Sequence, residues 1–174
     1  MIESAGLLHD QRLELIEGEL IVQAGKKRPY TIAVSLLLKY LVRIFSPDPV
    51  QQSAPIDVHP QENPTSEAGP DLIVLKLPQT EYRTGNPRPS DLQPVCEVSD
   101  STLAFDLSIK AQLYARAGIT EYWVPDIQNR HLVVHREPGA SGYQLIHAYH
   151  AQESISPLAA PQTELQVGSL FAID

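Results

Sequence analysis

The order of apolar segments along the chain predicts an α/β (α+β) fold with a central mixed β-sheet flanked by helices. Two stretches carry apolar residues at helical spacing, and several short stretches are continuously apolar or alternate with polar residues. Helices and strands alternate in the middle of the chain, whereas strands follow one another directly near its end. This mixture is typical of a single sheet with helices packed on it.

The N-terminal segment, residues 12–23 (RLELIEGELIVQ), is compatible with two local structures. In a hairpin, Glu17 and Gly18 would form the turn, and Leu13, Leu15 and Glu17 would share one strand face. In the alternative, a short helix would end near Gly18 and be followed by one strand.

The first long helix is predicted at residues 31–45. Ile32, Leu36, Tyr40 and Ile44 recur at helical spacing and define a wide apolar face. Prolines 47 and 49 then end the helix.

The remaining elements are predicted from apolar runs and from Gly and Pro positions. Strands are expected at residues 50–58, 71–77, 94–99, 121–124, 130–135 and 142–149, and a second helix at residues 105–117. Residues 60–70 and 78–93 are expected to be loops. We predict a single domain over residues 1–174, with a core at about 10–150 and a C-terminal extension at 151–174.

Composition restricts the class of protein. The chain has 174 residues, of which 13 are Lys or Arg and 21 are Asp or Glu, so its net charge is −8. This charge argues against a simple electrostatic grip on nucleic acid. A single cysteine excludes an internal disulfide, and no apolar run is long enough to cross a bilayer. A cytoplasmic protein without membrane contact is expected.

Two carboxylates stand out because of their apolar neighbours. Glu97 interrupts the run Val95-Cys96-Glu97-Val98, and Asp71 opens the run that follows Pro70. A buried carboxylate needs a cation, a metal or strong hydrogen-bond donors. The two residues are therefore candidates for binding one divalent cation, since Mg²⁺ often takes only one or two protein carboxylates. The alternatives are a turn-capping Asp71 and a salt-bridged Glu97.

A second set of polar residues follows in the predicted helix. Asp106, Lys110 and Tyr114 are spaced four residues apart and share one helix face. If that face turns toward Glu97, Lys110 becomes a candidate for orienting a water or stabilising a phosphoryl oxyanion. The alternative is a surface ion pair between Asp106 and Lys110, which would contribute little.

One dense basic run, Lys26-Lys27-Arg28, precedes the first helix. It is a candidate contact for a phosphate backbone. The alternative is a solvated loop, which is the usual state of a short basic run.

The sequence also resembles a known protein family. Residues 94–126, PVCEVSDSTLAFDLSIKAQLYARAGITEYWVPD, resemble the signature of the Uma2 family (formerly DUF820), which is abundant in cyanobacteria and some other bacteria. Two further landmarks are present in order, LELIEGEL at residues 13–20 and GPDLIV at residues 69–74. The resemblance covers about residues 10 to 137 and implies a restriction-endonuclease-like core related to the PD-(D/E)XK nucleases.

The resemblance also implies roles for individual residues. Asp71 matches the aspartate of the PD motif and Glu97 the acidic residue of the (D/E)XK motif, so both would bind Mg²⁺ or Mn²⁺. Val98 would add its main-chain carbonyl to the metal. The lysine expected two residues after Glu97 is replaced by Ser99, and Lys110 would take its role.

The N-terminal motif would complete the site with one more acidic residue. Glu14 and Glu17 both fit, and Glu17 is preferred. Many family members carry a histidine just before the first long helix, whereas this chain has Tyr30 near that place. Lys26, Lys27, Arg28 and Tyr114 are the expected substrate-binding residues.

The resulting prediction is a Mg²⁺- or Mn²⁺-dependent endonuclease that hydrolyses phosphodiester bonds in DNA and forms a homodimer. One alternative is an inactive or regulatory protein that keeps the fold and acts through dimerisation or partner binding. Another is a metal-dependent hydrolase of a small phosphorylated substrate. The acidic net charge counts against tight nonspecific DNA binding.

Overall fold

The structure, a computed structural model, describes residues 13–22, 25, 27–58 and 66–171. The strands in this part of the chain are β1 (Leu13–Ile16), β2 (Glu19–Val22), β3 (Val50–Gln52), β4 (Leu72–Leu75), β5 (Leu92–Cys96), β6 (Glu121–Asp126), β7 (His131–Gly139), β8 (Gly142–Tyr149), β9 (Ser154–Ile155) and β10 (Leu165–Gln166). The helices are α1 (Arg28–Phe45), α2 (Leu103–Phe105) and α3 (Ala111–Arg116), and a π-helical turn (Asp106–Lys110) joins α2 to α3. Short 3₁₀ turns lie at Gln79–Tyr82, Pro89–Asp91 and Val167–Phe171.

A six-stranded sheet in the order β3-β4-β5-β6-β7-β8 forms the centre of the fold. Strands β5 and β6 pair in parallel, and the other four pairs are antiparallel. A parallel pair needs a crossover connection, and α2, the π turn and α3 provide it. The predicted mixed sheet with flanking helices is therefore confirmed.

The two faces of the sheet carry separate layers of the core. Leu72 and Val74 of β4 pack in a cluster with the buried residues of α1. Ile73 and Leu75, which alternate with them along the strand, pack with α3 on the other face. A strand buried on both faces reads as a continuous apolar run, which explains the sequence LIVL.

Helix α1 begins three residues before the predicted start, with Pro29 in its first turn, where a missing N–H costs nothing. Its buried side is centred on the row formed by Ala33, Leu37 and Leu41, beside the predicted row. The apolar face is wide enough to contain both rows. Tyr40 is buried as predicted.

The N-terminal segment forms a hairpin, so the helix-and-strand alternative is wrong. Glu17 and Gly18 both have positive φ angles, 50° and 84°, as a two-residue turn of the I′ type requires. An isolated bridge between Leu15 and Glu67 attaches β1 to the segment that precedes β4. The hairpin thus lies next to the start of β4.

The C-terminal residues complete the core rather than extending from it. Residues 154–171 contribute Ile155, Leu165, Val167, Leu170 and Phe171 to the cluster that surrounds α1. A buried ion pair holds this segment. The Arg136 guanidinium lies 2.6 Å from the Glu121 carboxylate and donates to the Ser156 carbonyl. The predicted boundary at residue 151 therefore does not separate a core from an extension.

In the described part of the chain, no helix combines the length and apolar character needed to cross a membrane.

A buried histidine makes stability depend on pH. His135 is 1% exposed, packs against the rings of Tyr122 and Tyr143, and has a pKa of about 4 because burial disfavours its charged form. The unfolded chain, with a histidine pKa of about 6.5, binds the proton first, so stability is full above pH 6.5 and is lost as pH falls toward 4. We expect a loss of about 3 kcal/mol across that range. Urea denaturation of His135→Phe should show a flatter pH profile than wild type, whereas the control His147→Phe should not.

Candidate active site

Antiparallel pairing of β4 and β5 brings the two predicted carboxylates together. Leu72 lies opposite Cys96 in the register. Asp71 directly precedes Leu72, and Glu97 directly follows Cys96. The backbone N–H of Val98 donates a hydrogen bond of 2.9 Å to Asp71 Oδ2. Asp71 and Glu97 are 9% and 5% exposed. The structure thus places the two side chains next to each other at one edge of the sheet.

Lys110 reaches this edge from the helix that follows β5. Its Nζ lies 2.8 Å from Glu97 Oε1 and 2.8 Å from Glu14 Oε2, and the residue is 4% exposed. Asp106, one turn earlier, is also buried, and its Oδ2 accepts a hydrogen bond of 2.6 Å from Thr102. The surface ion pair that was the alternative for these residues is therefore wrong.

The π-helical turn presents this face of the helix to the sheet. Within the turn, the N–H of Ala111 donates to the carbonyl of Asp106, five residues earlier. The hydroxyl of Tyr122, from β6, also donates to that carbonyl at 3.1 Å. Turns of this kind occur frequently at functional sites. Here the hydrogen bond from Tyr122 attaches Asp106, the first residue of the turn, to the sheet.

The fourth carboxylate comes from the hairpin and is Glu14. Its Oε1 accepts a hydrogen bond of 2.9 Å from the N–H of Gly69, while Oε2 pairs with Lys110. The preferred residue, Glu17, lies at the hairpin turn instead, exposed and paired with Arg116. The burial pattern of β1 places Glu14 and Ile16 on the inner face. The geometry therefore favours Glu14 over the preferred Glu17 as the hairpin carboxylate beside Lys110.

The cluster contains more negative than positive charge. Burial raises the pKa of Glu97 to about 8, with Lys110 opposing the shift and Asp71, Glu14 and Asp106 adding to it. Burial alone would lower the pKa of Lys110, but Glu97 and Glu14 outweigh it and raise the pKa well above its usual value. Burial also raises the pKa of Asp106. Among the described residues, Lys110 pairs with Glu97 and Glu14, while Asp71 and Asp106 lie close enough to affect the pKa of Glu97, an arrangement that a further cation would stabilise.

Two tyrosines hold the carboxylates in place. Tyr114 donates a hydrogen bond of 2.8 Å to Glu97 Oε1, and the Tyr30 hydroxyl donates to Asp71 Oδ1. Tyr114 is completely buried, so the expectation that it contacts substrate is wrong. Tyr30, which stands near the place of the family's histidine, contacts a proposed metal ligand directly. The sequence places Tyr30 near the histidine position but does not predict its contact with Asp71.

The basic run lies at the edge of the site. Lys26 is outside the described residues. Lys27 has a side chain 73% exposed, with Nζ 4.0 Å from the Asp100 carboxylate. Arg28 is the exposed first residue of α1. The structure therefore leaves the solvated-loop alternative and the phosphate-contact prediction both open for Lys27 and Arg28.

A pocket of about 90 Å³ opens onto the cluster. Its buried lining residues are Asp71, Glu97, Val98, Asp106 and Lys110. Its other walls include residues that sequence reasoning did not select, namely Ile21 and Val22 of the hairpin and Phe105 of α2.

The donors at this pocket suit a hard divalent cation bound partly by water. In the described part of the chain, no group of three or more His, Cys, Asp or Glu side chains is arranged to hold a metal ion. Two carboxylates suffice for Mg²⁺, which keeps several waters and takes substrate phosphate oxygens. Among the described residues, both hydrogen bonds to Glu97 end at Oε1. Its Oε2 is therefore the oxygen that could face a cation.

A mixed sheet with an acidic pair at the adjoining ends of two strands, and a lysine beside it, is the architecture of restriction-endonuclease-like proteins. The chain belongs to the Uma2 family, whose model, described as "Putative restriction endonuclease", matches residues 4–168. A similar solved structure is that of "a putative nuclease belonging to DUF820 from Anabaena variabilis ATCC 29413". It is 14% identical, with a TM-score of 0.68, over 92% of this chain and 89% of that chain. No curated protein matches the sequence.

The two glutamates of β1 and its turn provide a matched test of the site. We expect Glu14→Gln to lower nuclease activity roughly 10- to 100-fold, as loss of a residue supporting a site residue typically does, because Lys110 loses a charged partner. Glu17→Gln removes only an exposed ion pair worth less than about 1 kcal/mol and should leave activity unchanged. Initial rates on one DNA substrate compare the two variants. A larger loss of activity in Glu17→Gln than in Glu14→Gln would favour Glu17 as the acidic site residue of the hairpin.

Proposed function

We propose that this protein is a metal-dependent endonuclease that hydrolyses phosphodiester bonds in DNA. The observation that carries the proposal is the convergence of Asp71, Glu97 and Lys110 at one pocket. Paired carboxylates with an adjacent fixed cation can serve phosphoryl transfer, which depends mainly on positioning and charge stabilisation.

In this proposal Asp71 and Glu97 hold Mg²⁺ or Mn²⁺, together with the main-chain carbonyl of Val98. A divalent ion there supplies Lewis acidity and lowers the pKa of water to a useful range. Tyr114 and Lys110 both engage Glu97 Oε1, and Val98 N–H engages Asp71 Oδ2. These contacts set the orientation of both carboxylates before any ligand arrives, which reduces the cost of binding.

Lys110 would stabilise charge that develops on the phosphoryl oxygens. An ammonium group has three N–H donors, and two of them reach Glu97 and Glu14. The third is the donor proposed for a phosphate oxygen. Both carboxylates keep the lysine charged, and the low exposure of the group strengthens its interaction with an anion. Glu14 acts through Lys110 and is a positioning residue.

Cleavage assays test this proposal. Plasmid, single-stranded and branched DNA are incubated with the wild-type protein and Mg²⁺ or Mn²⁺, and with a chelator as control. We expect metal-dependent cleavage of at least one substrate and its loss in Asp71→Ala and Glu97→Ala. Glu17→Ala, an exposed change of the same kind, should cleave normally. Cleavage that survives in both site variants would contradict the assignment.

A second candidate is a protein that keeps the fold without catalysis and acts through a partner. Two observations favour it, namely the acidic net charge and the absence of a three-residue metal cluster among the described residues. Calorimetric titration with Mn²⁺ separates the candidates. No binding, or binding that Glu97→Gln leaves unchanged, would support the non-catalytic protein.

A further inference from the structure

We infer that the substrate strand at this pocket is unpaired DNA, with one base stacked on Phe105 while its phosphate reaches the carboxylates. This inference rests on the proposed nuclease function and names the form of DNA that the site accepts. It follows from three features of the described residues: the depth of the reactive groups, the charge of the pocket, and the apolar character of two of its walls.

The reactive groups are recessed. Glu97, Lys110 and Asp71 are between 4% and 9% exposed, and the pocket that reaches them has a volume of about 90 Å³. Duplex DNA is stiff, with a persistence length of about 50 nm, and its strands bend only at an energetic cost. An unpaired strand can direct a single phosphate into a recess. The depth of the site therefore favours unpaired DNA.

The pocket offers little electrostatic attraction to a phosphate backbone. Among the described residues that line it, the acidic ones are Asp71, Glu97, Asp100 and Asp106, and the basic ones are Lys27 and Lys110. Binding of duplex DNA without base contacts depends on several Lys and Arg residues that replace counterions. The whole chain carries a net charge of −8. Affinity for DNA must therefore come largely from contacts that do not depend on charge.

The walls provide such contacts. Phe105 lines the pocket from the helix side and is partly exposed, while Ile21 and Val22 line it from the hairpin. Val22 is 52% exposed. Stacking of a base on an aromatic ring is the usual sequence-independent contact in single-strand binding. A base placed between Phe105 and the hairpin would cover this apolar surface.

Fluorescence anisotropy tests the inference on the full chain, with Ca²⁺ as the divalent ion. The probes are a short single-stranded oligonucleotide, the blunt duplex of the same sequence, and that duplex with a single-stranded flap. We expect the single strand and the flap to bind at least about tenfold more tightly than the blunt duplex. The salt dependence should be shallow, with a slope of log K against log salt no steeper than about −1.4, equivalent to two phosphates.

Variants at position 105 identify the stacking contact. Phe105→Ala should weaken single-strand binding roughly five- to 150-fold, the range typical of losing one stacked base, whereas Phe105→Tyr keeps the ring and should bind normally. Since Phe105 also packs on the core, melting temperatures establish that both variants fold. Leu158→Ala, an exposed apolar change outside the pocket lining, is the control.

The outcomes separate this inference from the proposed function. Tight single-strand binding without cleavage of any DNA in Mg²⁺ or Mn²⁺ would contradict the proposed nuclease function but support the inference that the pocket binds unpaired DNA. Cleavage of blunt duplex as fast as of single strands would support the nuclease function and overturn the inference that the substrate is unpaired. A folded Phe105→Ala variant with unchanged binding, a steep salt slope, or equal competition by a nucleoside monophosphate would each overturn the inference.

Discussion

Replacing Glu97 by Gln is expected to abolish DNA cleavage and, at the same time, to stabilise the folded protein. Glu97 shares a buried cluster with three other carboxylates and a single ammonium group, and burial disfavours its charged form. An amide keeps the size of the side chain and can still accept hydrogen bonds from Lys110 and Tyr114. Because burial raises the pKa of Glu97, its ionisation near neutral pH opposes folding, and we expect the amide to give a gain of about 1–3 kcal/mol in the free energy of unfolding. For a chain of this size that is roughly 2–12 °C in melting temperature.

The expected loss of activity has a separate cause. A bound divalent ion contributes several kcal/mol of charge stabilisation in the transition state, so losing it should lower the cleavage rate by a factor on the order of 10³. The site would thus sacrifice stability for function, as sites with strained electrostatics commonly do. Thermal denaturation and cleavage rates of the same preparation measure both effects.

Mn²⁺ links the two effects. Ligand binding to the folded state alone stabilises it by about 2.7 kcal/mol at one hundred times the dissociation constant. We expect Mn²⁺ to raise the melting temperature of wild type and of Glu17→Gln, in which the same chemical change falls on an exposed residue. It should leave Glu97→Gln unchanged. A Glu97→Gln variant that melts lower than wild type, or that cleaves DNA at a rate near that of wild type, would contradict this prediction.

Lys110→Met is expected to destabilise the protein by about 3–5 kcal/mol. The substitution retains an unbranched apolar side chain but removes the ammonium group that, in the described part of the chain, pairs with two buried carboxylates. Glu14 and Glu97 each lose a partner at 2.8 Å. Chemical denaturation measures the loss. Lys27→Met, which removes a lysine with a side chain 73% exposed, is the matched control and should change stability by less than about 0.5 kcal/mol.

A double substitution tests the electrostatic explanation. If uncompensated charge causes the loss in Lys110→Met, then Glu97→Gln in the same chain should restore a large part of the stability, with a coupling energy of about 1–3 kcal/mol. Strictly additive effects would mean that the loss in Lys110→Met does not arise from uncompensated charge on Glu97. Cleavage should be lost in both variants.

Local features of the sequence predicted most elements because their causes are local. The apolar run at residues 72–75 is buried on both faces and reads as a strand without further information. Pro47 ends the chain's longest helix, and the Glu17-Gly18 pair forms the predicted turn. Asp71 and Glu97 were recognisable for the same reason, since a carboxylate within or beside an apolar strand needs a partner.

Other features depend on how separate segments meet. Whether Glu14 or Glu17 faces Lys110 depends on which side of β1 packs against the segment before β4, a contact across more than fifty residues. Tyr114 was expected at the substrate because its spacing places it on the same helix face as Lys110. Packing of that face against the sheet buries it completely and turns its hydroxyl to Glu97. Spacing along a helix defines a face, but not how deeply each residue on it lies.

The sequence by itself therefore predicted the class of fold, marked Asp71 and Glu97 by their apolar neighbours, and marked Lys110 by its spacing on a helix face. Only the tertiary structure decided the charge balance of the site. The −8 net charge does not show that Glu14, Asp71 and Asp106 all lie close enough to raise the pKa of Glu97, or that Lys110 pairs with two of these four carboxylates. That convergence arises where β1, β4, β5 and the π turn meet, and it depends on strand register and packing between distant segments, which no local pattern records.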